Sequence, residues 1–176
     1  FKFNDFYLIA ATLRPETVFG ETNFWVNPNI DYVEAEINNE RWIVSEECIK
    51  KLESQDRKIK FLGKINGKEI IGKYCKAPLI NKDIIILPAE FSDPKIGTGL
   101  VTSVPSDAPY DYIALRDLQE NEKEMRKYGL KSEDIRKIKP IPIINSKGWG
   151  DLPAIKIVEK MQIKNQKDSK LEEATQ

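Results

Sequence analysis

Short runs of apolar residues, four to eight long and cut by proline, glycine or asparagine, dominate this chain and predict strands before helices. Phe6 to Thr12 is β-branched, aromatic and apolar, and reads as a buried strand ending on a hydroxyl. Pro15 and Gly20 bracket a turn or a short helical piece, and Phe24 to Val26 resumes an extended run. Tyr32 to Ile37 alternates and is followed across Asn38-Asn39 by Arg41 to Val44, which predicts a hairpin. Ser45 is placed as a helix N-cap with Glu46 and Glu47 in the first turn, the helix ending near Ser54. Asn66-Gly67, between Lys58–Ile65 and Lys68–Tyr74, predicts a second hairpin.

Further along, Ile84 to Leu87 and Leu100 to Val104 read as buried strands stopped by Pro88 and Pro105. Ser106 or Asp107 is expected to cap a helix running to about Tyr128, and Ser132 a shorter one. Lys139 to Ile144 is extended by its two prolines and suits a sheet edge. Pro153 to Met161 has helical spacing, with Ile155, Val158 and Met161 on one side. Many strands, later helices and no βαβ alternation predict an α+β fold: a β-barrel with peripheral helices. Phe1 stands without an initiating methionine and Leu171 to Gln176 resembles the opening of a helix, so the expectation is a piece of a longer protein.

Composition narrows the chemistry. The 176 residues suit one globular domain, with 40% hydrophobic and 32% charged residues. No apolar run approaches the roughly 18 residues of a membrane span. There is no histidine, which removes Cys/His zinc sites, the commonest general base, and every Ser-His or Cys-His nucleophile. Catalysis here has to use carboxylates, hydroxyls, backbone dipoles, lysine or the substrate itself. Cys48 and Cys75 are read as free thiols in a reducing, cytoplasmic compartment. Net charge is zero, yet Lys50 to Lys76 holds nine Lys/Arg against three Asp/Glu. That stretch is either a solvated strand edge blunted by lysine or a contact for a phosphate backbone.

Two segments carry the candidate chemistry: Thr12-Leu13-Arg14-Pro15-Glu16-Thr17, and Gly97-Thr98-Gly99-Leu100-Val101-Thr102-Ser103-Val104-Pro105-Ser106-Asp107 with Asp111 beyond it. Threonine is ordinary in strands, but here Thr12, Thr17, Thr98 and Thr102 keep company with charged residues at strand ends. Arg14 and Glu16 are either site residues or an ion pair bracing a turn. Asp107 reads as a helix cap, whereas Asp111 lies too far in for that and could offer a carboxylate to an ammonium group. Gly97-Thr98-Gly99 lacks the length and lysine of a phosphate-binding loop and reads as a turn or bulge where main chain approaches a ligand. Trp25, Trp42 and Trp149 have packing roles as their first reading and base stacking as their second.

With Thr12 to Gly20, Asn27-Pro28, Gly97 to Asp107 and the stretch around Trp149-Gly150-Asp151, the chain resembles the editing (CP1) insertion of leucyl-tRNA synthetases of the archaeal and eukaryotic cytosolic type. The resemblance covers most of the chain and is weakest from Tyr32 to Asp83. It implies a barrel that hydrolyses wrongly charged tRNA(Leu), spanning residues 1–161, with 162–176 a polar exit segment toward the rest of the synthetase. Asp111 is similar to the family's anchor for the substrate α-amino group, and Thr12 to a threonine near the adenosine and the scissile ester. Thr17 is similar to the threonine whose bulk keeps leucine out. Leu13, Arg14, Thr98, Leu100, Val101, Thr102, Ser103 and Asp107 complete the implied substrate-binding set.

The resemblance implies no cofactor or metal in this domain; ATP and magnesium belong to the parent synthetase. Implied partners are the 3′ end of tRNA(Leu) carrying a non-cognate amino acid and the remainder of the synthetase chain, with no membrane. Leu13 departs from the bacterial pattern, where a second threonine is common, and Ser106 to Tyr110 departs from a bacterial form with histidine near Asp107. The isoleucine-type editing domain usually has tryptophan where Arg14 stands. The valine type shares Arg-Pro-Glu-Thr but carries histidine after the second proline. A non-catalytic RNA-binding barrel is the reading from a different class; it expects the threonines and Asp111 to be scattered through the core. The physical need for editing is independent: one methylene gives only about 1–3 kcal/mol of discrimination, a magnitude established on aminoacyl-tRNA synthetases themselves.

Overall fold

The computed structural model describes residues 1–175. Strands β1 (Lys2–Phe3) and β2 (Phe6–Leu8) come first, then a 3-10 helix at Pro15–Gly20. They are followed by β3 (Asn23–Val26), β4 (Asp31–Ile37), β5 (Glu40–Val44) and helix α1 (Glu46–Glu53). Next come β6 (Ile59–Asn66), the single helical turn α2 (Gly67–Ile70), β7 (Tyr74–Lys76), β8 (Asp83–Pro88) and β9 (Leu100–Ser103). The remainder is helical: α3 (Pro109–Glu120), α4 (Glu122–Lys127), α5 (Ser132–Arg136), α6 (Pro153–Lys160) and α7 (Lys170–Glu173). All nine strands join one curled half-barrel sheet in the order β6-β4-β5-β2-β1-β7-β8-β3-β9, so the α+β expectation holds.

The chain divides into two compact units, one of Phe1–Pro15 with Asn23–Thr102 and the other of Glu16–Thr22 with Ser103 onward. In the first, β4 pairs antiparallel with β5 and β6, while β2 with β5 and β3 with β8 run parallel. Phe3, Leu8, Phe24, Val26, Tyr32, Ile43 and Ile86 fill its core. Helix α1 lays Ile49 and Leu52 against Val33, Ala35 and Ile37 of β4. Its cap is the expected one: Ser45 Oγ accepts from the Cys48 N–H at 3.1 Å, and the helix ends at Ser54. The Asn38-Asn39 turn also forms as expected, both residues taking positive φ of 54° and 65°.

In the second unit α3 packs on α6, α4 and α5. Ile113, Val158, Ile163 and Leu171 form its cluster, with Ile157 and Met161 alongside. Residues 162–175, polar in composition, are therefore seated: Arg116 donates to the Ile163 and Lys164 carbonyls, and the Gln166 N–H donates to Asp117. Gln176, last residue of the expected exit segment, lies outside the described residues.

Several expectations are corrected. Asn66-Gly67 closes no hairpin: Asn66 is the N-cap of α2, in a reciprocal capping box with Glu69, and β6 pairs with β4 instead. Gly67 is required for another reason, since a Cβ there would fall 2.0 Å from the Asn27 carbonyl oxygen. The first long strand stops at Leu8, leaving Ala11 and Thr12 exposed. The long helix starts at Pro109, with Ala108 rather than Ser106 or Asp107 as its N-cap, and breaks at Asn121, which caps α4 through its own side chain. Asp107 therefore precedes the helix and does not cap it. Lys131, not Ser132, occupies the N-cap of α5. Lys139 to Ile144 joins no strand of the sheet; Ile143 and the Ile141 carbonyl instead lie against Gly20.

Candidate active site

In the second unit the candidate residues gather around the end of β9. Pro105 ends the strand, and the Asp107 and Ala108 N–H groups turn back to the Val104 carbonyl at 3.1 and 3.0 Å. That turn delivers Pro109 to the first position of α3, where its missing N–H costs nothing. Asp111 follows in the first helical turn, where a carboxylate is favoured by the dipole. Its Oδ2 accepts the Val104 N–H at 2.8 Å, and only 7% of the residue is exposed. Strand end and helix start are thus tied through one carboxylate.

The 3-10 helix reaches the same place. A Cβ on Gly20 would sit 3.0 Å from the Val104 Cγ1, so this position has little room for a side chain. Residues three apart eclipse on a 3-10 helix, so Thr17, half-buried, lies on the face that Gly20 turns to Val104. The Thr22 N–H donates to the Ser103 carbonyl at 3.1 Å and fixes the far end of this segment to β9. The Ser103 side chain is fully buried, and its hydroxyl has no hydrogen-bond partner among the described residues. Ser106 Oγ donates to Asp107 Oδ2 at 2.5 Å, and the Ser106 carbonyl accepts from Ala154 at the start of α6.

The first unit holds the other candidates. Thr12 is exposed and its Oγ1 accepts the Arg14 N–H at 3.0 Å, a hydroxyl-closed turn that projects Leu13 wholly into solvent. Thr98 is 8% exposed; its hydroxyl reaches the Leu100 carbonyl and its own carbonyl accepts from the Ser45 N–H at 2.8 Å. The Leu100 side chain belongs to the core, while Val101 and Thr102 are half-buried. A Cβ on Gly97 would lie 3.7 Å from that of Ala11, so the Gly97-Thr98-Gly99 turn runs beside the segment leading into Thr12.

Sequence reading passed over Glu21, Thr22 and Asn23, three consecutive polar residues buried at the start of β3. A polar triplet directly before the apolar run Phe24–Val26 was the available signal. It also passed over the buried hydroxyls of Tyr32 and Ser92, which meet at the Gly99 carbonyl. The Tyr32 hydroxyl donates to the Gly99 carbonyl at 3.0 Å and accepts from the Asn27 N–H at 2.9 Å. Burial pushes that phenol from 10.0 up to about 12.

Four of the nine basic residues of Lys50 to Lys76 meet acids of the same or neighbouring elements. Lys50 and Lys64 flank Glu46, Lys60 faces Glu36 across the strands, and Lys76 faces Asp83. Cross-strand pairing of this kind suits the edge strand β6. A groove of about 480 Å³ beside it is lined by both signs, Glu36 and Asp56 with Arg57, Lys58 and Lys60. Trp25 is buried against Phe91, a packing role, while Trp149 is half-buried with the Lys160 ammonium over its ring. Both cysteines are buried and neither is in a disulfide. Among the described residues, no three His, Cys, Asp or Glu side chains could jointly hold a metal ion, and no helix is long and apolar enough to cross a membrane.

The curled half-barrel sheet with its helices is the architecture of a synthetase editing domain. The crystal structure of GlLeuRS-CP1 superposes with a TM-score of 0.86 at 36% identity, covering 98% of this chain and 68% of that one. The editing domain of P. knowlesi cytosolic leucyl-tRNA synthetase superposes at 0.85 with 26% identity, over 96% of this chain and 68% of that one. Among curated proteins, leucine--tRNA ligase of Methanothrix thermoacetophila is 50% identical over 175 residues and that of Pyrococcus horikoshii 48% over 174. No family model matches the chain. The chain belongs to the leucyl-tRNA synthetase family, as its CP1 editing domain. It covers 99% and 96% of itself in those two alignments and spans 18% of each ligase's length.

Proposed function

We propose that this domain hydrolyses the ester of misacylated tRNA(Leu), such as isoleucyl-, methionyl- or norvalyl-tRNA, before the product leaves the synthetase. The observation that carries the reading is the Val104–Asp111 bond at 2.8 Å; Thr17 stands three residues before Gly20, where a Cβ would lie 3.0 Å from the same valine. A carboxylate fixed in this way suits an ammonium ligand, because it is oriented before the substrate arrives. Carried over by motif position, Asp111 anchors the α-amino group and Thr17 presents its methyl to the γ-branch of leucine. Thr12 lies at the adenosine and the ester, and Leu13, Arg14, Thr98, Val101, Thr102, Ser103 and Asp107 complete the substrate contacts.

With no histidine in the chain, water is activated without an imidazole base. The terminal ribose hydroxyl assists its attack on the acyl carbonyl, and threonine or backbone donors stabilise the oxyanion. The domain itself uses no metal or cofactor in this scheme. Its partners are the charged 3′ end of tRNA(Leu) and the rest of the synthetase.

The test is deacylation of isoleucyl-tRNA(Leu) and leucyl-tRNA(Leu) by the full-length protein. Rapid loss of the isoleucyl ester with a stable leucyl ester is expected. Equal stability of both esters contradicts the proposal.

A further inference from the structure

Every carbonyl from Pro94 to Gly99 accepts a hydrogen bond. Ser45 Oγ takes that of Pro94 at 2.7 Å, and the Lys51 ammonium takes those of Lys95 and Gly97 at 2.6 and 3.3 Å. The Gly99 N–H closes on the Ile96 carbonyl at 3.0 Å, and the Ser45 N–H on that of Thr98 at 2.8 Å. Tyr32 and Ser92 both donate to the Gly99 carbonyl. Surface loops ordinarily give most of their carbonyls to water. This one is exposed along Lys95, Ile96 and Gly97 yet is pinned from α1, from its N-cap and from β4. Glycine at 99 is part of the fit, with φ of +74° and a would-be Cβ only 2.6 Å from that of Ser45.

We infer that Lys51, on the solvent side of α1, is a positioning residue: it clamps the 94–99 loop and thereby sets the Thr98–Thr102 segment and the Ala11–Thr12 approach beside it. The inference rests on the editing reading for its catalytic consequence but not for the clamp itself. Lys51 touches no reacting atom. Its ammonium spans two carbonyls two residues apart, and a charged donor makes bonds roughly twice as strong as a neutral one. The side chain is exposed, so its loss leaves the core of the unit intact.

The experiment compares Lys51→Met and Lys51→Arg with the parent in the full-length protein. In Lys51→Met, amide exchange across residues 95–99 of the unliganded protein rises by about tenfold while the melting temperature stays within about one degree. Deacylation of isoleucyl-tRNA(Leu) loses on the order of tenfold in kcat with KM unchanged, the cost of a small misplacement. Lys51→Arg restores both, because guanidinium also spans two carbonyls. Unchanged exchange overturns the clamp, and raised exchange with unchanged kcat overturns its role in positioning. A parent protein that deacylates nothing counts against the editing reading instead, and the exchange measurement still decides the clamp.

Discussion

Asp111 holds Val104 across seven residues of sequence: its Oδ2 receives the valine N–H at 2.8 Å with both residues buried. The carboxylate thereby has a structural duty separable from any contact with substrate. Asp111→Ala strands a buried N–H and is expected to destabilise the domain by about 1–3 kcal/mol. Asp111→Asn can offer its carbonyl oxygen to the same donor and should retain most of that stability. Urea unfolding of the two variants separates them; equal losses remove the hydrogen bond from this account.

Ser103 presents the opposite situation, a buried hydroxyl that nothing among the described residues satisfies. Burying an unpaired hydroxyl is costly, so Ser103→Ala is expected to be neutral or to stabilise by up to about 1 kcal/mol. Thermal unfolding checks the sign. A simultaneous loss of deacylation marks the hydroxyl as reserved for substrate, whereas a loss of 2 kcal/mol or more, as order of magnitude, points to a structural partner.

Thr17 carries the steric part of the proposal. Thr17→Ala removes the methyl expected to meet the leucine γ-branch, and hydrolysis of leucyl-tRNA(Leu) should rise by about tenfold or more, the value of one methyl-sized difference. If correctly charged tRNA survives this substitution, exclusion does not depend on Thr17.

Tyr32 gives a pH signature. Its folded-state pKa is raised from 10.0 to about 12, because burial disfavours the phenolate. A raised value means a contribution fully present below pH 10 and lost as pH climbs from about 10 to about 12, amounting to about 2–3 kcal/mol. In Tyr32→Phe the alkaline limb of stability against pH should be flatter over that window, while lysine titration affects both proteins alike. Parallel limbs contradict the assignment.

Local signals that were also global ones were readable in advance. The Ser45 cap, the Asn38-Asn39 turn and the buried run Ile84–Leu87 each satisfy propensity and packing together, so they form as expected. Asn66-Gly67 misled because its two residues serve different masters: asparagine caps a helical turn, and glycine admits the Asn27 backbone at a distance no side chain tolerates. Nothing local announces that β6 pairs backward with β4. Similarly, Ser106 and Asp107 carry every mark of a cap, but Pro109 fixes the first helical position two or more residues later.

The candidate residues were visible as types, not as an arrangement. Asp111 stood out from its place in a helix's first turn, yet its bond to Val104 depends on how the strand end folds back, which no spacing encodes. The clamp on residues 94–99 was invisible for the same reason: Lys51, Ser45, Tyr32 and Ser92 come from separate elements.

The central claim, that Asp111 holds the substrate's ammonium, is tested most directly by comparing the ester of isoleucine with that of its α-hydroxy analogue on the same tRNA. Replacing Asp111 by Asn should slow hydrolysis of the aminoacyl ester by on the order of a hundredfold, the scale of a lost charged contact, and leave the hydroxyacyl ester nearly untouched. Equal slowing of both esters contradicts the account, because the carboxylate would then be serving something other than the amine.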